Sequence, residues 1–186
     1  MNEKSEIERL GEVFVSSENI FDGKIMHVFR DSVTLPDGNP AFRELMRHVG
    51  AVCIIPVTDD GNVIVERQFR YPINKVITEI PAGKLDSKQE NRLIAAKREL
   101  LEETGITADN WLDIGEICPA CAYSDEILNI YLATGLHFGE RKLDDDEFLD
   151  IQKVPLTELV RQVMSGEIID SKTQVAILKA ARYFGI

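Results

Sequence analysis

No stretch of this chain approaches the ~20 consecutive apolar residues of a membrane-spanning helix, and its start, MNEKSEIERL, has no apolar signal-peptide segment. The expectation is a cytoplasmic protein, complete as written, with no membrane partner. Cysteine is scarce and odd in number: Cys53, Cys118 and Cys121. Without an export signal, that argues against a disulfide framework. Positive charge is also short, with 21 Lys plus Arg against 32 Asp plus Glu and a formal net charge of −11. A field of that sign repels a nucleic-acid backbone, so nucleic acid is not expected as a partner. An anionic small substrate stays open, provided a metal or a few placed arginines supply local cations. No internal repeat or low-complexity tract is visible.

What is present fits one globular domain, or one domain with a small appendage. The 186 residues are 44% hydrophobic and 28% charged, and a chain of this length removes roughly 70% of its unfolded surface from water. Residues 1–10 read as frayed or weakly helical. Val13–Val15, Lys24–Leu35 and Phe42–Val49 read as strands, the last two joined by the turn Leu35-Pro36-Asp37-Gly38-Asn39. Ala51–Val57 is a continuous apolar run, as in a strand buried on both faces. Further strands are predicted at 63–71, 76–80, 110–117, 127–133 and 148–154, and late helices at 156–164 and 171–183. This order predicts an α+β fold with a mixed sheet. A soft boundary near residues 48–50 separates an N-terminal antiparallel β-subdomain (1–48) from the main domain (49–186).

Lys88–Thr104 is the most convincing helix, with Gly105 as its stop. At 100° per residue, Glu99, Glu102 and Glu103 share an arc of about 100°. Leu93, Ile94, Leu100 and Leu101 fall on the opposite side, with Lys97 among them. The arc is costly: like charges at i,i+4 destabilise a helix by about 0.2–0.5 kcal/mol, and the C-terminal dipole disfavours anions by ~0.3–1 kcal/mol. Arg98 offsets part of this through Glu102. A divalent cation would offset more, because converging carboxylates supply the oxygen ligands that Mg²⁺ or Mn²⁺ prefers. For a bare E-x-x-E-E, a solvated helix face is the commoner explanation, and the spacing alone leaves both open.

The neighbouring residues are more specific. Gly83, Glu90 and Arg98-Glu99-Leu100-x-Glu102-Glu103-x-Gly105-Ile106 resemble the Nudix box, G-x5-E-x7-R-E-U-x-E-E-x-G-U with U a bulky aliphatic residue. Six residues rather than five separate Gly83 from Glu90, which reads as one residue inserted in the loop before the helix. Ile20–Lys24, Arg43-Glu44, Val49–Val52, Arg67–Pro72, Glu79–Gly83, Ser124–Glu126 and Asp146–Phe148 extend the likeness over most of the chain. They resemble the ADP-ribose pyrophosphatase branch of the Nudix hydrolases.

The resemblance implies a Nudix fold, a mixed sheet flanked by helices as an α/β/α sandwich. It implies Mg²⁺-dependent hydrolysis of ADP-ribose to AMP and ribose 5-phosphate, with Mn²⁺ able to substitute. It also implies a homodimer in which the N-terminal strands cross to the partner. Its metal ligands would be the Ala82 carbonyl, Glu99 and Glu103, with Glu102 ligating a further ion or orienting the attacking water. Arg43 and Arg70 would contact the diphosphate, and Glu44 and Glu126 the adenine or ribose hydroxyls. Gly83, Glu90, Arg98 and Gly105 would be structural members of the box. The general base would lie in Asp144-Asp145-Asp146-Glu147, with Glu147 preferred over its neighbours; an exposed acidic loop explains that run equally well.

Two other readings stay open: a pyrophosphatase of GDP-mannose or another nucleotide sugar, and a nucleotide-sensing module without turnover. Cys118-Pro119-Ala120-Cys121 has the C-x-x-C spacing but no second pair or nearby histidine for zinc, and reads as a loop thiol pair. Together with Tyr123 it departs from the family's small residues and Pro-Gly pair. His27, His48 and His137 are scattered, and Trp111 reads as a packing residue.

Overall fold

Every residue of β4 (Ala51–Pro56) is buried. Its alternation sends Ala51, Cys53 and Ile55 to one side, where they pack with Leu159 of α3 (Leu156–Met164) and Ile177 and Ala180 of α4 (Ser171–Phe184). Val52 and Ile54 point the other way and pack with Ala95, Ala96 and Leu100 of α2 (Arg92–Thr104). Each fully buried aliphatic side chain contributes about 1.5–3 kcal/mol relative to exposure, so an unbroken apolar run is what a doubly covered strand requires. The computed structural model, which describes residues 3–142 and 148–186, is therefore built around this strand.

β4 lies in a four-stranded sheet of order β7 (Ala82–Lys84), β4, β9 (Leu128–Phe138), β8 (Ile106–Ile117). β4 and β9 run parallel, with Ala51 opposite Leu128 and Ile55 opposite Leu132, while β7 and β8 are antiparallel to their neighbours. With α2 on one face and α3 and α4 on the other, this is an α/β/α sandwich in an α+β chain. A second, antiparallel sheet has the order β10 (Leu149–Pro155), β5 (Asn62–Arg70), β6 (Lys75–Glu79). The third, also antiparallel, has the order β1 (Val13–Asp22), β2 (His27–Thr34), β3 (Pro40–Met46), preceded by α1 (Glu3–Leu10). The four-stranded sheet is thus the expected mixed one, and β1–β3 form the expected N-terminal antiparallel sheet.

Two compact units result: residues 1–48 with 120–126, and residues 49–119 with 127–186. Within the first, the Met46 N–H donates to the Tyr123 carbonyl and the His48 N–H to the Asp125 carboxylate, which ties the 120–126 segment to the end of β3. Among the described residues no helix is long and apolar enough to cross a membrane.

α2 corrects the sequence reading in two ways. It starts at Arg92, not Lys88, because the Asn91 side chain accepts the N–H groups of Leu93 and Ile94 and caps the helix there. Its core face is also turned from the expected one. Ile94 is 63% and Leu101 44% exposed, whereas Ala95, Ala96, Leu100, Glu103 and Thr104 are buried. Small residues at 95 and 96 let the helix lie close to the sheet, and this rotation carries Glu99 and Glu103 to the margin of the core.

Candidate active site

The C-terminal half of α2 faces the short strand β7. Glu103 is 7% exposed, and one of its carboxylate oxygens accepts the Ala82 N–H at 2.9 Å. Ala82 is itself fixed by the ladder to Cys53, and the preceding Pro81 carbonyl accepts the Ile54 N–H at 2.8 Å. Beside it, α2 and β7 meet at Gly83. A Cβ there would fall 2.0 Å from the Glu99 carboxyl carbon, so only glycine leaves room for that carboxylate. Glu102 stands at the outer edge, its side chain 48% exposed. Ala82, Gly83, Glu99, Glu102 and Glu103 line a cleft of about 400 Å³ with Arg98 at its rim.

Arg98 organises this edge. It donates to Glu99 at 2.6 Å and makes longer contacts, 3.3–3.4 Å, to Glu102, Glu90 and the Lys84 carbonyl. Burial alone would lower its pKa, but the charges of Glu99, Asp86 and Glu90 hold it above its ordinary value. Glu90, ahead of the helix, also accepts the Asp86 N–H at 2.6 Å. The inserted residue is therefore absorbed in the loop between β7 and Asn91, and Glu90 still reaches Arg98. Gly105 ends the helix at φ 71°, where a Cβ would lie 2.6 Å from the Gly139 carbonyl oxygen.

Arg70 ends β5, and its guanidinium is engaged by a partner that the sequence reading missed. Its Nε and Nη2 groups donate to the two carboxylate oxygens of Glu79 at 2.5 and 2.8 Å. Glu79 also accepts from the Lys172 Nζ, and Lys172 donates to Asp170 at 3.1 Å. Burial pushes the Glu79 carboxyl up, but the bond from Arg70 and the charge of Lys172 bring it below its ordinary value. Burial likewise lowers the Lys172 ammonium, and Asp170 and Glu79 outweigh it and raise it. The Arg70 guanidinium is raised chiefly by its bond to Glu79, with a contribution from the charge of Glu103. One signal for this network was legible. Lys172 sits in the first turn of α4, where the helix dipole disfavours a cation, and such a placement calls for carboxylates nearby.

Arg43, Glu44 and Glu126 belong to the first unit. Arg43 is paired with Glu12 and donates to the Phe42 carbonyl, and Glu44 accepts from Arg30 at 2.9 Å. Glu126 lies 3.7 Å from His48. Glu147 and its acidic neighbours 144–146 lie outside the described residues. Cys118 and Cys121 are exposed cysteines, and Cys53 is a buried one whose thiol pKa burial pushes up to about 12. Trp111 donates to the Ala108 carbonyl and meets the Tyr131 ring edge-on, as a packing residue does.

The donor set of the cleft suits a hard divalent cation: three carboxylates and a backbone carbonyl, all oxygen, on a cradle that a Cβ at Gly83 would fill. Among the described residues, no three acidic, histidine or cysteine side chains are drawn together as a ready-made ligand cluster. The reason is visible: Glu99 is turned to Arg98 and Glu103 to the Ala82 N–H. Replacing Gly83 by alanine should displace the flexible end of Glu99 while leaving the sheet intact. We expect Mn²⁺ affinity, measured by electron paramagnetic resonance titration, to fall about tenfold or more in Gly83→Ala, with native far-UV circular dichroism. Unchanged Mn²⁺ affinity would show that the fit at Gly83 has no part in metal binding.

Comparison with known proteins agrees with this geometry. The NUDIX domain family matches residues 46–172, and the nucleoside diphosphate sugar hydrolase N-terminal domain matches residues 14–46. An ADP-ribose pyrophosphatase of Bacillus subtilis is 41% identical over 170 residues, covering 90% of this chain and 91% of its own. A methanol dehydrogenase activator of Bacillus methanolicus is 37% identical over 165 residues, covering 88% and 89%. A crystal structure of an ADP compounds hydrolase superposes with a TM-score of 0.83 at 21% identity, over 94% of each chain, a likeness of fold. The box from Arg98 to Ile106, the cradle at Gly83 and these matches converge: the chain belongs to the Nudix hydrolase family.

Proposed function

We propose that this protein hydrolyses the pyrophosphate bond of ADP-ribose, or of a closely related nucleoside diphosphate sugar, to AMP and the sugar phosphate. The observation that carries this reading is the cleft in which Glu99 and Glu103 meet the Ala82–Gly83 segment. Likeness to an ADP-ribose pyrophosphatase across nine-tenths of the chain supports the choice of substrate.

The Ala82 carbonyl, Glu99 and Glu103 would hold Mg²⁺, and Mn²⁺ by the same oxygen chemistry. When bound, the ion neutralises diphosphate oxygens and lowers the pKa of a water. The chain's own residues do the rest. Arg70 spends two of its five N–H groups on Glu79, and the opposite edge of the guanidinium is left for phosphate oxygens. Glu102, the most exposed of the three carboxylates, holds a further ion or orients the attacking water. Glu147 accepts that water's proton. Arg43, Glu44 and Glu126 are the remaining substrate contacts in this reading.

The N-terminal unit serves a homodimer in this reading. Every residue of β1 is exposed, including Val13, Phe14, Val15, Ile20 and Phe21, and β1 is an edge strand. Apolar edge strands invite pairing with a second chain, and a second copy of this one supplies the cover.

Two experiments test the proposal. ADP-ribose, GDP-mannose, other nucleotide sugars and dinucleotides are incubated with Mg²⁺ or with chelator, and the products are separated by chromatography. ADP-ribose should yield AMP with Mg²⁺ and nothing with chelator. Preferred turnover of GDP-mannose would replace the substrate, and no turnover at all would favour a nucleotide-sensing role. Sedimentation equilibrium at micromolar concentration should return twice the 21.0 kDa chain mass. A monomeric mass would contradict the dimer.

A further inference from the structure

Lys172 has no part in the metal cleft, yet its charge is placed with care. Its side chain is only 13% exposed, and the Glu79 carboxylate it meets is 4% exposed. A buried ammonium is costly unless it is paired and hydrogen-bonded, and here Glu79 and Asp170 both accept from it. Asp170 caps α4, accepting from the Thr173 N–H at 3.0 Å and the Thr173 hydroxyl at 2.6 Å. The Thr173 hydroxyl oxygen in turn accepts the Ile80 N–H at 3.1 Å. The first turn of α4 therefore grips the end of β6 at two adjacent residues, Glu79 through Lys172 and Ile80 through Thr173.

The consequence falls on Arg70. A carboxylate with one cationic partner can rotate about its terminal bonds. One held by Arg70 on one side and Lys172 on the other has its plane fixed. The fork-to-carboxylate bond then fixes the plane of the guanidinium, and with it the direction of the edge that Glu79 leaves free. Among the described residues the Arg70 side chain makes no other hydrogen bond, so this orientation depends on Glu79.

We infer that Lys172 is a positioning residue for diphosphate binding: from the first turn of α4 it locks Glu79, and Glu79 aims the free edge of Arg70 at the substrate. The inference rests on the proposed substrate role of Arg70 and adds a remote residue that sets it. Lys172 itself touches neither substrate nor metal, so its loss acts on binding through Arg70 and leaves the carboxylates of α2 in place.

A double-mutant cycle tests this, with a spectroscopic arm that needs no turnover. Lys172→Met should raise KM about fivefold with kcat within about twofold, and Lys172→Arg should restore much of the loss. In an Arg70→Ala background the same substitution should change KM by less than about twofold, since the residue it positions is gone. In the ¹⁵N spectrum the Arg70 Nε–H signal, assigned by its absence in Arg70→Ala, should exchange with solvent faster in Lys172→Met. If Lys172→Met does not fold, Glu79→Gln takes its place in the cycle under the same criteria. An unchanged KM and Nε–H exchange would overturn the inference, and so would a KM effect that persists undiminished without Arg70. Failure of the wild type to turn over any diphosphate would count against the proposed function, and the Nε–H signal would still report on the network.

Discussion

The structure depends on one close approach, that of α2 to β7. Glu103 is buried in the last turn of a helix, where the dipole opposes an anion by ~0.3–1 kcal/mol, and Glu99 lies four residues before it. The fold offsets this with fixed donors: the Ala82 N–H on Glu103 and the Arg98 guanidinium on Glu99. The first needs the backbone of β7 within reach of the helix, and Arg98 reaches the same strand at the Lys84 carbonyl. Gly83 permits that approach, and Ala95 and Ala96 let the helix lie down on the sheet. The placement of β7 in turn comes from β4, whose buried residues tie both layers of the core together. Core packing and site chemistry are thus one construction.

An acidic chain that binds an anion must ration its cations. Arg98 serves the carboxylates, while Arg70 and Lys172 share one carboxylate, Glu79, beside them. None of the three is fully exposed. Long cationic side chains lose rotamer freedom when fixed, and the buried carboxylates supply the compensation. A few oriented groups can then attract a small diphosphate in spite of the overall negative charge.

Much of this was legible in the chain. Ala51–Val57 announced a strand covered on both faces because its apolar run has no gap. Gly105 announced the helix end because it alone takes the left-handed conformation there without strain. The box from Arg98 to Ile106 announced the carboxylate edge. The rotation of α2 was not legible, because Ile94 and Leu101 look like core by hydropathy. Close approach favoured the smaller Ala95 and Ala96, and leucine at 101 was left outside. The helix start at Arg92 was missed because the polar run before it hides the Asn91 cap. The division into three sheets depends on pairings between distant segments, such as β10 with β5, that local patterns do not encode. The pairing of Glu79 with Lys172 escaped notice for the same reason: the two lie 93 residues apart in the chain.

The central claim is that Glu99, Glu102 and Glu103, held against the Ala82–Gly83 segment, bind a divalent cation together with a diphosphate. Calorimetric titration of Mg²⁺ into the protein saturated with a non-hydrolysable ADP-ribose analogue measures this most directly. The account predicts saturable uptake in the wild type and loss of most of that heat in Glu103→Gln, a variant that removes one ligand charge and retains side-chain volume. Absence of Mg²⁺ uptake by the wild type, or equal uptake by Glu103→Gln, would contradict it.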